Sequence, residues 1–439
     1  MRRKAAIVVA LVGLVLAAAI GAAGSPAASD RATVTNLTIW VGWSARELSE
    51  FKKVVAEYDA KKADVSVKVV GSINDDKITA ALRSGNVPDV VSSFTSQNVG
   101  VYCPSGGWID LAPYLKRDKV DTSIFPATTR YYTQYGGTRC ALPLLADAYG
   151  FYYNKQLFKK AGLSRPPRTL DELTAYAKKL TTRKADGSLD VVGYDPFIGF
   201  YQNSIGAYQP LVGAKYFDPA GRSSLSKDPA WQRLLRWQKS LVDYYGHDKL
   251  VKWQTGAGDE WSAPHAFGRG KLAMMIDGEW RVAFLAADHP KTKYGTAPMP
   301  VDPARKSLYG AGYINGTIIG IPKNGDNREE AWKLVKYLTT NTHALAMFSN
   351  GIRNVPSTAA AARSKELKPD ANFATFTRIF TNPRSTTIPV TPLGSAHLET
   401  FTSFLAKWQA GKVKDLRAGL LEVDKQIDAK MKQSGGGVP

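Results

Sequence analysis

Short catalytic signatures are missing from this chain. No G-x-S-x-G elbow, H-E-x-x-H helix, Walker loop, Rossmann fingerprint or C-x-x-C pair occurs in its 439 residues, so no local motif points to nucleophilic, zinc, nucleotide or dithiol chemistry. Histidine is scarce, and the five present, His247, His265, His289, His343 and His397, are scattered. The two cysteines, Cys103 and Cys140, are too few for a metal site. No metal and no cofactor is expected. Acidic residues are also short, 38 against 58 lysines and arginines, yet the excess charge is dispersed and no groove-reading motif accompanies it. Nucleic acid is therefore not an expected partner. Only one apolar run could span a bilayer, and there are no internal repeats.

That run is Ala5 to Ala23, preceded by Arg2, Arg3 and Lys4 and followed by small residues. It reads as a secretory leader over residues 1–28, cleaved between Gly24 and Ser29. It contains no cysteine, so a lipid anchor is not expected and the mature chain is placed outside the cytoplasm. There, in an oxidising compartment, Cys103 and Cys140 are expected to pair; two separate buried thiols are the alternative. Removing the three basic leader residues takes the formal charge from +20 to +17. Such a balance favours attraction to wall polymers, lipid headgroups or an anionic ligand. The length is that of two domains.

The first hundred residues alternate strand and helix. Leu37–Val41 is β-rich, Ser44 and Glu47 form a capping box opening a helix Glu47–Lys62, and Val65–Val70 is a second strand. Lys77–Arg83 follows as a helix closed by Gly85, then Val87–Val91 as a third strand. This βαβαβ rhythm predicts a mostly parallel sheet with ligand contacts at the carboxyl ends of its strands, near Trp43, Ser44 and the loop Ser92–Gln97.

Further on, the apolar run Ala141–Tyr153 is interrupted by Asp147. An acid in an apolar strand needs a partner, either ligand hydroxyls or a nearby Arg or Lys. The segment 191–218 is rich in aromatics and glycine, whereas Trp231, Trp237 and Trp332 sit at helical spacing and read as core. Asp259 and Glu260, beside Trp261, read as a solvated turn. The run FGRGKLAMMIDGEW, Phe267 to Trp280, reads as a helix end, a short buried strand Leu272–Ile276, and a turn at Asp277-Gly278 delivering Trp280. Trp280 is there either to plug the core or to offer a flat platform for a sugar ring.

Seven segments in order resemble the bacterial extracellular solute-binding proteins of family 1, the sugar-binding components of ABC importers. They are LTIWVGW (37–43), SGNVPDVV (84–91), GGWIDLAPYL (106–115), YYNKQLFKKAGL (152–163), PPRTLDEL (166–173), FGRGKLAMMIDGEW and GIPKNGDNREEAWKLVKYLT (320–339). The resemblance implies an α/β fold of the two-lobe, type II periplasmic-binding-protein class, with three crossings between lobes and hinge closure on ligand. It implies lobe 1 over 30–146 and 315–353, lobe 2 over 147–310 and 354–432, and a disordered tail from 433. The ligand contacts it implies are Trp43, Ser44, Ser93, Ser96, Asp147, Asp195, Phe197, Trp280, Gly312 and Tyr313.

The expected function is thus capture of a mono- or oligosaccharide and its delivery to the membrane permease subunits of an ABC importer by a non-enzymatic monomer. A secreted carbohydrate-active enzyme, or a receptor for iron or a polyamine, would share parts of this pattern; the tandem tyrosines Tyr131-Tyr132 and Tyr152-Tyr153 are the feature an iron site would use. Two departures bear on the ligand. Maltodextrin-binding members carry an aromatic at the position of Ser93 and another where this chain has His397-Leu398, which argues against long maltodextrins. The charge of +17 widens the class to acidic saccharides or an anionic surface.

Overall fold

The computed structural model describes residues 34–199, 203–368 and 370–435. The expected leader lies outside the described residues, as do Phe200 and Tyr201 of the aromatic segment and residues 436–439 of the tail. Gln433, the first residue of the expected tail, closes the last helix, Leu416–Gln433.

Among the described residues ten strands are joined by pairing: β1 Thr35–Trp40, β2 Val65–Val70, β3 Val90–Ser93, β4 Ala141–Asn154, β5 Thr182–Arg183, β6 Leu189–Tyr194, β7 Leu272–Gly278, β8 Tyr294–Ala297, β9 Ile314–Gly320 and β10 Val355–Pro356. Eight follow the path β2-β1-β3-β9-β4-β7-β6-β5, and β8 and β10 pair with β4 off that path. β1 pairs with β2 and β3 in parallel, as the alternating rhythm predicts. The sheet as a whole is mixed rather than mostly parallel, because β9 runs antiparallel to both β3 and β4. β9 returns from a distant part of the chain with no crossover helix to bring it in the parallel sense.

β4 organises the molecule. Its first half, Ala141–Ala148, pairs with β9, and from Tyr149 onward it pairs with β7 and β8 instead. The short β10 joins it at Leu145 and Ala146. A strand buried on every side at nearly all of its 14 residues reads as a continuous apolar run, which is why the sequence shows no alternation there.

Two apolar cores flank this path. In one, the helix Ala45–Ala60 buries Phe51, Val54, Val55 and Tyr58, a three-to-four spacing that places them on one face. Phe348 of the helix Thr342–Ile352 meets Phe51 at 5.2 Å, and Trp332 is fully buried in the same cluster. In the other core, Trp231 packs edge-on to Phe401 at 5.2 Å, and Trp237 is partly covered. Cys103 and Cys140 are bonded, with Cα atoms 5.3 Å apart. The bridge ties the end of the helix Val99–Tyr102 to the start of β4.

Candidate functional site

A cavity of about 680 Å³ opens where β1 ends and β4 changes partners. From the first side it is lined by Gly42, Trp43, Ser44, Ala45, Arg46, Glu47 and Phe94, from the middle by Asp147, Thr317 and Asn354, and from the far side by Trp261, Ala263, Trp280, Phe284 and Asp288.

The turn after β1 shapes the first side. Ser44 is extended and stands at the N-cap of the helix, but its hydroxyl caps nothing and the expected box with Glu47 does not form. Ala45 takes a positive φ of 42°, a conformation costing a residue with a Cβ about 1 kcal/mol. That turn leaves Ser44 and Glu47 lining the cavity. Strain of this kind is commonly held at binding sites. Trp43 is locked by Phe51 at 5.2 Å, Phe348 at 4.8 Å and Phe94 at 5.5 Å.

On the far side, β7 runs two residues further than the periodicity suggests, to Gly278, and the turn falls at Glu279 and Trp280. Pairing decides this: Asp277 and Gly278 face Gly150 and Tyr149 of β4 in register. A Cβ on Gly278 would lie 2.1 Å from the Trp280 ring, so glycine is what lets the indole fold back onto the strand. Trp280 is then held edge-on by Tyr149 at 5.4 Å and meets Trp261 at 6.0 Å, remaining 4 % exposed. Trp261, 49 % exposed, continues the wall to Phe284, 5.7 Å away. The stretch 259–261 is therefore not simply a solvated turn: Trp261 faces the cavity and Glu260 is buried.

Asp147 sits between these sides. Its Oδ1 accepts a hydrogen bond of 2.7 Å from Asn354 Nδ2, and among the described residues no lysine or arginine pairs with it. Burial, with Glu47 adding like charge, pushes its pKa up to about 7. Behind it Glu279 is fully buried, accepting the backbone N–H of Ala148 at 2.7 Å and of Val355 at 3.2 Å. Its pKa stands well above the usual carboxylate range, through burial first and Asp147 second.

A family described as bacterial extracellular solute-binding proteins matches this chain over residues 53–375. The chain belongs to that family. A protein solved with mannotriose bound superposes with a TM-score of 0.80 at 26% identity, covering 89% of this chain and 99% of that one. A probable ABC transporter-binding protein of Deinococcus radiodurans is 26% identical, covering 88% of this chain and 91% of the relative. A maltotriose-binding protein of Pyrococcus abyssi is 23% identical over 76% of this chain and 69% of its own length. The fold is accordingly the two-lobe α/β fold of periplasmic binding proteins.

In this solute-binding fold, Trp43, Ser44, Asp147 and Trp280 line the cavity, and the other expected contacts are engaged elsewhere. Ser93 donates to Asp75 at 2.5 Å, and Ser96 donates to Asn315 at 2.6 Å. Asp195 accepts from the Phe197 amide at 3.0 Å and from Gln254 at 2.7 Å, while Phe197 packs edge-on to His247. Gly312 has no side chain because Ile379 and the Tyr149 carbonyl occupy that space. Tyr313 is buried against Tyr149 at 5.0 Å, one ring behind Trp280. Phe94 belongs to the loop Ser92–Gln97 that the strand order points to, whereas Arg46, Glu47, Phe284, Asp288, Thr317 and Asn354 are not expected site residues; of these, Glu47 alone carries a local signal, and it reads as a cap. Among the described residues no cluster of metal-ligating side chains occurs, and no helix is long and apolar enough to cross a membrane.

Proposed function

We propose that this chain captures a carbohydrate in the cavity around Asp147 and hands it to the membrane subunits of an ABC importer. The observation that carries the proposal is the composition of the cavity wall: indoles of Trp43, Trp261 and Trp280 beside the acceptors Glu47, Asp147 and Asp288. Sugar rings present apolar faces to aromatics and hydroxyl donors at their edges, which is the complement of such a wall. The oligosaccharides named for two relatives, mannotriose and maltotriose, support the same class.

Closure of two lobes, 30–146 with 315–353 and 147–310 with 354–432, would bury the sugar. Three crossings at β4, the segment before β9, and the residues before β10 are the hinge in this proposal; support comes from the change of partners at Ala148 and Tyr149 and from β10 pairing at Leu145 and Ala146. The protein acts as a monomer without catalysis, after a leader lacking a lipid-bearing cysteine is removed. A thermal-shift panel of saccharides, ferric iron and polyamines, followed by calorimetry and product analysis, tests it. Stabilisation by sugars without turnover is expected. Release of new reducing ends would make it an enzyme, and stabilisation by iron or polyamine alone would make it a different receptor.

A further inference from the structure

The chain carries a formal charge of +20, but the cavity has the opposite character. Glu47, Asp147 and Asp288 line it against a single cation, Arg46. That guanidinium is already engaged: its Nη1 donates to the Ala283 carbonyl at 3.4 Å, and its carbon lies 4.9 Å from the Phe284 ring centre. Among the described residues none of the three carboxylates forms an ion pair with a lysine or arginine. Asp147 is 4 % exposed, Asn354 serves its Oδ1, and its Oδ2 has no hydrogen-bond donor among the described residues. Glu279 behind it uses both oxygens on backbone amides and offers no compensation.

A ligand closed into this space therefore meets three carboxyl groups and one arginine, so acidic groups outnumber basic ones around it. Burying an ionised carboxylate costs several kcal/mol unless a positive partner and hydrogen bonds accompany it. A neutral hydroxyl satisfies the lone pairs and leaves the charge. An ammonium group satisfies both, and charge-assisted hydrogen bonds are roughly twice as strong as neutral ones. The indoles of Trp43, Trp261 and Trp280 add faces that attract cations. A carboxylate or phosphate on the ligand would meet like charge.

Building on the carbohydrate reading, we propose that the cleft selects a basic, amine-bearing saccharide over its neutral counterpart and rejects acidic ones, despite the basic surface of the protein. The ammonium is held between Asp147 and Glu47. The basic exterior and the acidic cleft then have separate roles, and the outer charge says nothing about the ligand.

Calorimetry on the full mature chain should use matched disaccharides of the glucose, mannose and galactose series, each as the neutral sugar, the 2-amino-2-deoxy sugar and the uronic acid. In the series that binds, the amino form is expected to bind about tenfold tighter than the neutral one, and the uronic acid to bind weakest. Glu47→Gln should shrink that gap, read as the ratio of amino-sugar to neutral-sugar affinity within the variant, and an unchanged ratio in a folded variant overturns the placement of the ammonium; Asp288→Asn serves as a second variant if Glu47→Gln is poorly folded. Equal affinity for amino and neutral forms, or tighter binding of the uronic acid, overturns the selectivity and leaves the carbohydrate reading standing. Binding of no sugar in any form overturns both.

Discussion

Arg281→Met is the perturbation whose consequence the structure sets most tightly. Arg281 is 2 % exposed and Asp277 is fully buried, with Nε to Oδ2 at 2.5 Å. The same guanidinium donates through Nη2 to the Glu260 carbonyl at 2.5 Å, so one side chain ties β7 to the loop bearing Trp261. Removing it leaves the Asp277 carboxyl in the core without its counter-charge, with the Gly278 amide, 2.8 Å away, as a remaining hydrogen-bond donor, and drives its already raised pKa further up. Breaking a buried pair from one side costs about 3–5 kcal/mol, a large part of the stability of an ordinary protein. The double variant Asp277→Asn/Arg281→Met removes the charge as well, and the loss should shrink to about 1–2 kcal/mol, the scale of imperfectly matched neutral hydrogen bonds. Urea unfolding of the three proteins measures both numbers. The single variant should also recover at low pH, where Asp277 takes up a proton. A loss under about 1 kcal/mol, or a double variant as unstable as the single one, would refute the account of an uncompensated buried charge.

The other predictions concern the site, the bridge and pH. Trp280→Ala should weaken sugar affinity by about 1–3 kcal/mol, the scale of a buried aromatic contact; unchanged affinity in a folded variant would remove Trp280 from the site. Trp261→Ala should lower affinity with little change in the urea midpoint, since that ring is half exposed. Replacing Cys103 and Cys140 by serine should cost about 4 kcal/mol of stability in the chain-entropy view of a loop this long, read from urea midpoints; an unchanged midpoint would show the loop to be constrained already in the unfolded chain. Burial raises the pKa of Asp147 to about 7 and of Asp195 to about 6. The unfolded chain sheds these protons near the ordinary carboxylate pKa of about 4, so the native state holds more protons in between. The stability these two carboxyls contribute should therefore fall as pH rises from about 4 to 7, while His265 and His397, whose pKa burial lowers to about 3 and about 4, act in the opposite sense. The urea-midpoint difference between the parent and Asp147→Asn isolates the Asp147 part, and a difference that does not change with pH across this window would overturn the assignment.

Much of the scaffold was legible because its signals are local. The helix expected over Lys77–Arg83 stops where Gly85 places it, at φ 77°, and begins two residues earlier than expected, at Asp75; the unbroken apolar run of β4 was visible as a run. Elsewhere local signals misled. Ser44 and Glu47 have the spacing of a capping box, but the turn after β1 takes Glu47 into the cavity instead. Gly278 looked like a turn residue, and its pairing with Tyr149 kept it in the strand.

By itself, the sequence determined the alternation of strand and helix, because periodicity, caps and breakers act over a few residues, and seven ordered segments resembling the solute-binding proteins pointed to the family and its fold. It also singled out Trp43, Ser44, Asp147 and Trp280, each beside such a signal. What only the tertiary structure decided was the company these residues keep. Trp261 and Phe284 join Trp280, Asn354 reaches Asp147 across 207 positions, and three acids meet one engaged arginine. Charge counted along the chain sums over the whole surface. The field a ligand meets depends on the few groups within reach of it, and chain topology brings those together from segments far apart in sequence.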